Sequence, residues 1–167
     1  DINAVRFEAL FGMNGVTDVI VSMRPPAKRI PRLKALVDTL SSKGFRVGML
    51  GPGPSYAVPV VNLLFRDTAG EVTEDISKFL EESSFAFDAE LAAYMAAHGG
   101  AYFAKGPILC PDGVCRVFTA DGKDLVVFDT GHLTLRAGIE LGQALSGQIR
   151  EVFGAPKDPA SVSHAAD

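Results

Sequence analysis

Residues 17–50 constrain the fold more than any other stretch of the chain. TDVIVSM (17–23) is a short β-branched run after Gly15, and it reads as a buried strand. Pro25 and Pro26 break it. A helix then opens with Pro31 near its first turn and carries Leu33, Leu36, Val37 and Leu40 as its apolar stripe. Ser41, Ser42 and Lys43 lead to Gly44, a C-terminal stop, and FRVGML (45–50) follows as a second buried strand. Strand, helix and strand joined by tight connections form a βαβ unit, whose strands run parallel. The expected fold class is α/β, a three-layer α/β/α arrangement around a parallel sheet with both faces of its strands buried.

The rest of the chain extends this pattern. Residues 4–12 predict a helix with Val5, Phe7, Leu10 and Phe11 mostly on one face. Residues 55–70 are a mostly apolar excursion interrupted by proline. From Glu71 to about His98 the spacing is helical, in one bent helix or two, with Ile76, Phe79, Leu80, Phe87, Leu91, Tyr94 and Met95 facing inward. The acidic stretch 71–84 reads as the wet face of that helix rather than a metal site. His98 ends it beside Gly99, where a cation suits the helix dipole. AYFAKGPIL (101–109) reads as a third strand with its loop, and 116–128 as a β-hairpin around Asp121 and Gly122. The last helix is predicted over 134–153, with Leu141, Leu145, Ile149 and Phe153 at successive i+4 positions. One domain over 1–154 and a disordered tail at 155–167, carrying a solvated His164, complete the expectation.

Composition removes several function classes. Hydrophobic residues make up 47% and charged residues 22%, the balance of a chain that buries a core rather than staying disordered. The net charge is −4 and no basic stripe with interleaved aromatics is present, so nucleic acid is not an expected partner. The apolar run 57–65 contains Pro59 and Asn62 and falls far short of the roughly 20 residues a membrane span needs. Gly51–Pro54 lacks the spacing of a phosphate loop, and its two prolines donate no N–H. No cofactor is expected.

Cys110 and Cys115 flank Pro111, Asp112, Gly113 and Val114, and the Pro-Asp-Gly run is turn chemistry. Such a loop can bring two cysteines to disulfide distance, which is the preferred reading and favours an oxidising compartment. Half of a metal site and two buried thiols are the alternatives. The three histidines show no ligand spacing, so no metal is expected. Closing so short a loop contributes only about 2 kcal/mol by chain entropy.

The stretch richest in chemistry is FDTGHLT (128–134). Asp129 and His132 lie three apart across a glycine-containing loop, between a β-branched run and a helix that Thr134 can cap. That spacing lets the carboxylate accept a bond from the imidazole and fix its tautomer. The same pattern also arises by chance, and a histidine near a helix start is often a surface cap.

Four blocks in order, Val19–Arg24, Met49–Pro54, the Cys110/Cys115 pair, and Asp129–Thr134 with Gly138, together resemble one family. The chain resembles the C-terminal part of an SGNH (GDSL-like) hydrolase domain, of the kind fused to membrane acyltransferases of acyltransferase family 3 that O-acylate cell-surface polysaccharides. In that branch a strand close to "ViLsaRW" precedes "iGPvPe", a cysteine pair and "D-x-x-HLS-x-x-G". The resemblance implies a Ser–His–Asp acyl-transfer site, with His132 as general base and Asp129 as its orienter. It implies an acylated glycan or acyl donor as substrate, a fused or associated membrane acyltransferase, and a periplasmic or extracellular location. Thr134 replaces the usual Ser, and Pro25 stands where Trp is common. The family's serine lies in a G-D-S block upstream of these motifs, and no such block occurs here. Ser22 sits in a strand run and Ser41 and Ser42 close a helix, so each reads as structural. The chain is therefore expected to be a fragment lacking the nucleophile, with N-terminal strands missing. A non-catalytic polysaccharide-binding module and an unrelated flavodoxin-like binding domain are the rival readings.

Overall fold

The computed structural model describes residues 15–22, 27–66 and 76–154. The expected helix at 4–12, Arg24, Pro25 and Pro26, the tail 155–167 and His164 lie outside the described residues. Three strands, β1 (Asp18–Ser22), β2 (Arg46–Leu50) and β3 (Ala101–Phe103), pair in the order β1-β2-β3. Both pairings are parallel, with Ile20 opposite Gly48 and Gly48 opposite Ala101. Helix α1 (Ile30–Ser42) joins the first two strands, as the βαβ reading requires. Helices α2 (Val60–Arg66), α3 (Asp88–Ala97), the single turn α4 (Gly106–Leu109) and the long α5 (Leu135–Phe153) follow.

Alternation along β2 separates the two outer layers. Val47 and Met49 face Leu33, Val37 and Leu40 of α1 and Leu91 and Met95 of α3, all buried. Leu50 packs on the opposite side with Phe103 of β3 and Leu141, Leu145, Ile149 and Phe153 of α5. This is the expected α/β/α layering. Gly48 lies under α5: a Cβ there would sit 2.8 Å from the Phe103 ring and 2.9 Å from that of Phe153. Phe103 is fully buried and has nowhere to move. Gly48→Ala is therefore expected to cost about 1–3 kcal/mol by overpacking, read as a lower urea midpoint. An unchanged midpoint would show that this layer is looser than its packing implies.

Arg46 ties the layers together at the far end. Its guanidinium grips Asp18 of β1 through Nε at 2.5 Å and Nη2 at 2.9 Å. The same group donates to the carbonyls of Val152 (3.3 Å) and Phe153 (3.0 Å), the last of α5.

Several expectations need correction. The helical reading of 71–98 survives only as α3 and one 3₁₀ turn at Ser77–Phe79, with 67–75 outside the described residues. Leu80 instead forms an antiparallel bridge with Tyr56, and the Ser84 hydroxyl donates to the Ser55 carbonyl at 3.0 Å while accepting from the Ser55 N–H at 3.0 Å. These tertiary bonds replace a helix, so Glu81 and Glu82 are not a helix face; Glu81 accepts from the Ser55 hydroxyl. Phe79 is consequently exposed rather than inward. The hairpin at 116–128 is reduced to a single antiparallel bridge, Phe118 with Leu125, around a turn in which Gly122 adopts φ +70°. The third strand, expected with its loop over 101–109, ends at Phe103, and the loop carries the single turn α4. Finally, β1 is not buried on both faces. Ile20, on the α5 side, is 42% exposed, because α5 covers Gly48 of β2 and no described element covers β1 there.

Candidate active site

The loop that carries Asp129 and His132 is fixed from three directions. Buried Val126 and Val127 lead into it, and Val126 N–H donates to the Val117 carbonyl at 2.8 Å. Beyond them, the carbonyls of Asp129 and Thr130 accept from Val60 N–H (3.0 Å) and Tyr56 N–H (2.9 Å), so the start of α2 holds the loop backbone. Thr134 closes it: its hydroxyl donates to the Leu125 carbonyl at 2.6 Å and accepts from Ala137 N–H at 3.3 Å as the N-cap of α5. The Cys110–Cys115 disulfide lies in the same buried cluster as Val126 and Val127. Cys115 N–H donates to the Ser77 hydroxyl at 2.6 Å, which ties the bridged loop to the segment below.

On this support Asp129 and His132 are bonded. Asp129 Oδ2 lies 2.6 Å from His132 Nδ1, while Oδ1 accepts from the N–H groups of Gly131 (2.8 Å) and His132 (2.7 Å). Burial pushes the Asp129 carboxyl up, but the His132 and Gly131 N–H groups and the imidazole outweigh it and bring it down to about 2. An ionised carboxylate only accepts, so the proton of this bond sits on Nδ1 and Nε2 is left as the free acceptor. The His132 side chain is 77% exposed, and its ring lies against Phe128 with centroids 6.1 Å apart. The arrangement holds one tautomer and presents a basic nitrogen to anything bound beside it.

The depressed acidity makes a prediction about stability. Asp129 titrates near 2 folded and near 3.9 in an unfolded chain, so its contribution is fully present above about pH 5 and is lost as pH falls towards 2. Asp129→Asn is expected to flatten that part of the urea midpoint against pH; an unaltered slope would mean that other carboxylates carry it.

What the bonded pair faces is a cavity of about 280 Å³. It opens at the C-terminal ends of the strands, where parallel sheets place their ligands. Ser22 ends β1, Gly53 follows β2 and Lys105 follows β3; all three line it together with His132. Sequence reasoning passed over Lys105, met Gly53 only within the Met49–Pro54 block, and treated Ser22 as structural. The signal available was topological: each follows or ends a strand of the predicted parallel sheet. Ser41 and Ser42 end α1 and do not line this cavity. His98 stands at the C-cap of α3, its Nδ1 2.8 Å from the Tyr94 carbonyl and its ring stacked on Tyr94. Among the described residues no three His, Cys, Asp or Glu side chains gather as metal ligands would.

Residues 4–146 match the family described as "SGNH domain (fused to AT3 domains)". The chain belongs to that SGNH family. No curated protein matches it significantly. Among solved structures, this SGNH chain is similar to the periplasmic domain of a lipopolysaccharide acetyltransferase from Salmonella ser. Paratyphi A, with TM-score 0.68 at 16% identity. The match covers 80% of this chain and 56% of that one, so the present chain spans little more than half the length of its structural neighbour. At such low identity the likeness speaks for the fold, and the family match ties the domain to membrane acyltransferases. No described helix is itself long and apolar enough to cross a membrane.

Proposed function

We propose that this SGNH domain transfers or hydrolyses acyl groups on extracytoplasmic glycans, in the periplasm and alongside a membrane acyltransferase. His132 acts as general base through Nε2, and Asp129 orients it. The observation that carries the reading is the 2.6 Å Nδ1–Oδ2 bond with the second carboxylate oxygen held by two backbone N–H groups. A surface cap needs no such triple restraint, and a flavodoxin-like binding domain has no reason to couple the two side chains. The likeness to a lipopolysaccharide acetyltransferase domain supports glycan as the acyl acceptor.

In this reading a serine hydroxyl gives its proton to His132 Nε2 as its oxygen attacks the acyl carbonyl. The imidazolium, stabilised by Asp129, returns that proton to the leaving alkoxide, and water or a glycan hydroxyl resolves the acyl-enzyme by the same route. Among the described residues no serine hydroxyl is hydrogen-bonded to His132. We therefore assign the nucleophile to a segment upstream of β1, in keeping with the family's G-D-S block. A second reading has one observation behind it: Ser22 lines the same cavity as His132. Trapping with a radiolabelled fluorophosphonate decides between them. Labelling of the 167-residue chain that Ser22→Ala abolishes favours Ser22. Labelling only after an upstream segment carrying a G-D-S block is added favours the first reading, and no labelling in either form counts against acyl-enzyme chemistry.

A further inference from the structure

The cavity also carries a cation that the Asp129–His132 pair does not use. Lys105 runs its stem past Gly53, where a Cβ would lie 3.9 Å from Lys105 Cδ and 3.8 Å from Leu109 Cδ1. Lys105 is half-buried as a residue, and among the described residues it makes no hydrogen bond and no ion pair within 4.0 Å. The carboxylate that acts on it is Asp88, whose oxygen accepts the Tyr102 hydroxyl bond and which is not among the described residues lining the cavity. Burial lowers the Lys105 pKa, and Asp88 only partly offsets that. A desolvated ammonium without a bonded counter-charge is costly, and an incoming anion would supply the missing partner.

The rest of the wall agrees. Ser22, Gly53, Leu109 and the 131–133 turn contribute no carboxylate, and Asp129 is turned to the imidazole and two N–H groups. In a chain of net charge −4, it is a selective feature that the one charged side chain without a bonded partner, among the described lining residues, is a cation. The ammonium is placed by the strand that ends two residues earlier, and its stem runs in van der Waals reach of Gly53.

We propose that Lys105 anchors an anionic subsite beside His132, so that the glycan handled there carries a carboxylate or phosphate group close to the reacting ester. The word glycan rests on the acyl-transfer reading; the anion preference itself is a property of binding. Saturation-transfer NMR on the 167-residue chain tests it, because sugar protons are observed and self-association of the protein does no harm. The probes are D-glucuronate, D-glucose 6-phosphate and, as the neutral reference, methyl glucoside. One or both anions should bind at least about fivefold more tightly than the neutral sugar, and which one does so separates a uronate from a phosphorylated residue. Lys105→Met should remove the preference, Lys105→Arg should keep it, and Lys105→Gln serves if the Met variant folds poorly. The preference is read from binding alone, without turnover, so a failed esterase assay and a failed subsite are told apart. Equal binding of all three sugars, no binding of either anion, or a preference that survives Lys105→Met overturns the proposal.

Discussion

His132→Ala, in the domain joined to an upstream segment bearing a G-D-S block, is expected to lower kcat towards p-nitrophenyl acetate by about 10⁴-fold or more, with little change in KM. The reason is positional. Removing the imidazole leaves the serine proton without an acceptor, while the cavity at the strand ends remains to bind substrate. Asp129→Asn should cost a similar order, about 10⁴-fold. An asparagine amide can donate to Nδ1, which turns the imidazole over to the tautomer with a proton on Nε2, useless as a base. The amide oxygen can still accept the Gly131 and His132 N–H bonds, so the loop should keep its shape. Unchanged circular dichroism with lost turnover is the expected pair of results. Full activity in either variant would remove the pair from the chemistry altogether.

The second large effect concerns the 167-residue chain alone. Its turnover of the same ester is expected to match that of its His132→Ala variant if the nucleophile lies upstream of β1 as proposed, since a base and an orienter alone form no acyl-enzyme. It is also expected to self-associate. β1 stands at the edge of the described sheet, paired on one side with β2, and its Ile20 is 42% exposed. An unguarded apolar edge of this kind recruits other strands. Light scattering should show a mass that rises with concentration, and Ile20→Lys should reduce the rise. A monomeric chain that hydrolyses the ester at a His132-dependent, enzyme-like rate would contradict both expectations and direct attention to Ser22.

Local physics explains what could be read from the sequence. The helix of residues 30–42 and its flanking strands were legible because propensity, apolar spacing and the Gly44 stop agree there. So was the Asp129–His132 bond, since both partners belong to one short loop and Thr134 announces the helix that follows. Residues 76–87 were misread for the opposite reason. Their apolar spacing is helical, but Ser84 finds its partner at Ser55, 29 residues away in the chain, and Leu80 at Tyr56. No window of sequence contains that competition. Lys105 illustrates the same limit at the cavity: its place beside His132 is set by where β3 ends, not by any motif around it. Reading 101–109 as a third strand with its loop located the segment but not the turn that aims the side chain.

Helix α5 can also be regarded as a rod clamped at both tips. Its 19 residues span about 28 Å. One tip is locked into the His132 loop by Thr134, and the other is gripped by the Arg46 guanidinium through the carbonyls of Val152 and Phe153. A swing of 10° about a single clamp would carry the opposite tip through about 5 Å on a helix of this length, whereas a misplacement of about 1 Å is already ruinous to catalysis. Arg46 thus fixes the far tip of the helix whose near tip closes the His132 loop, so a charge at the distal end of the central strand sets how far that loop can drift.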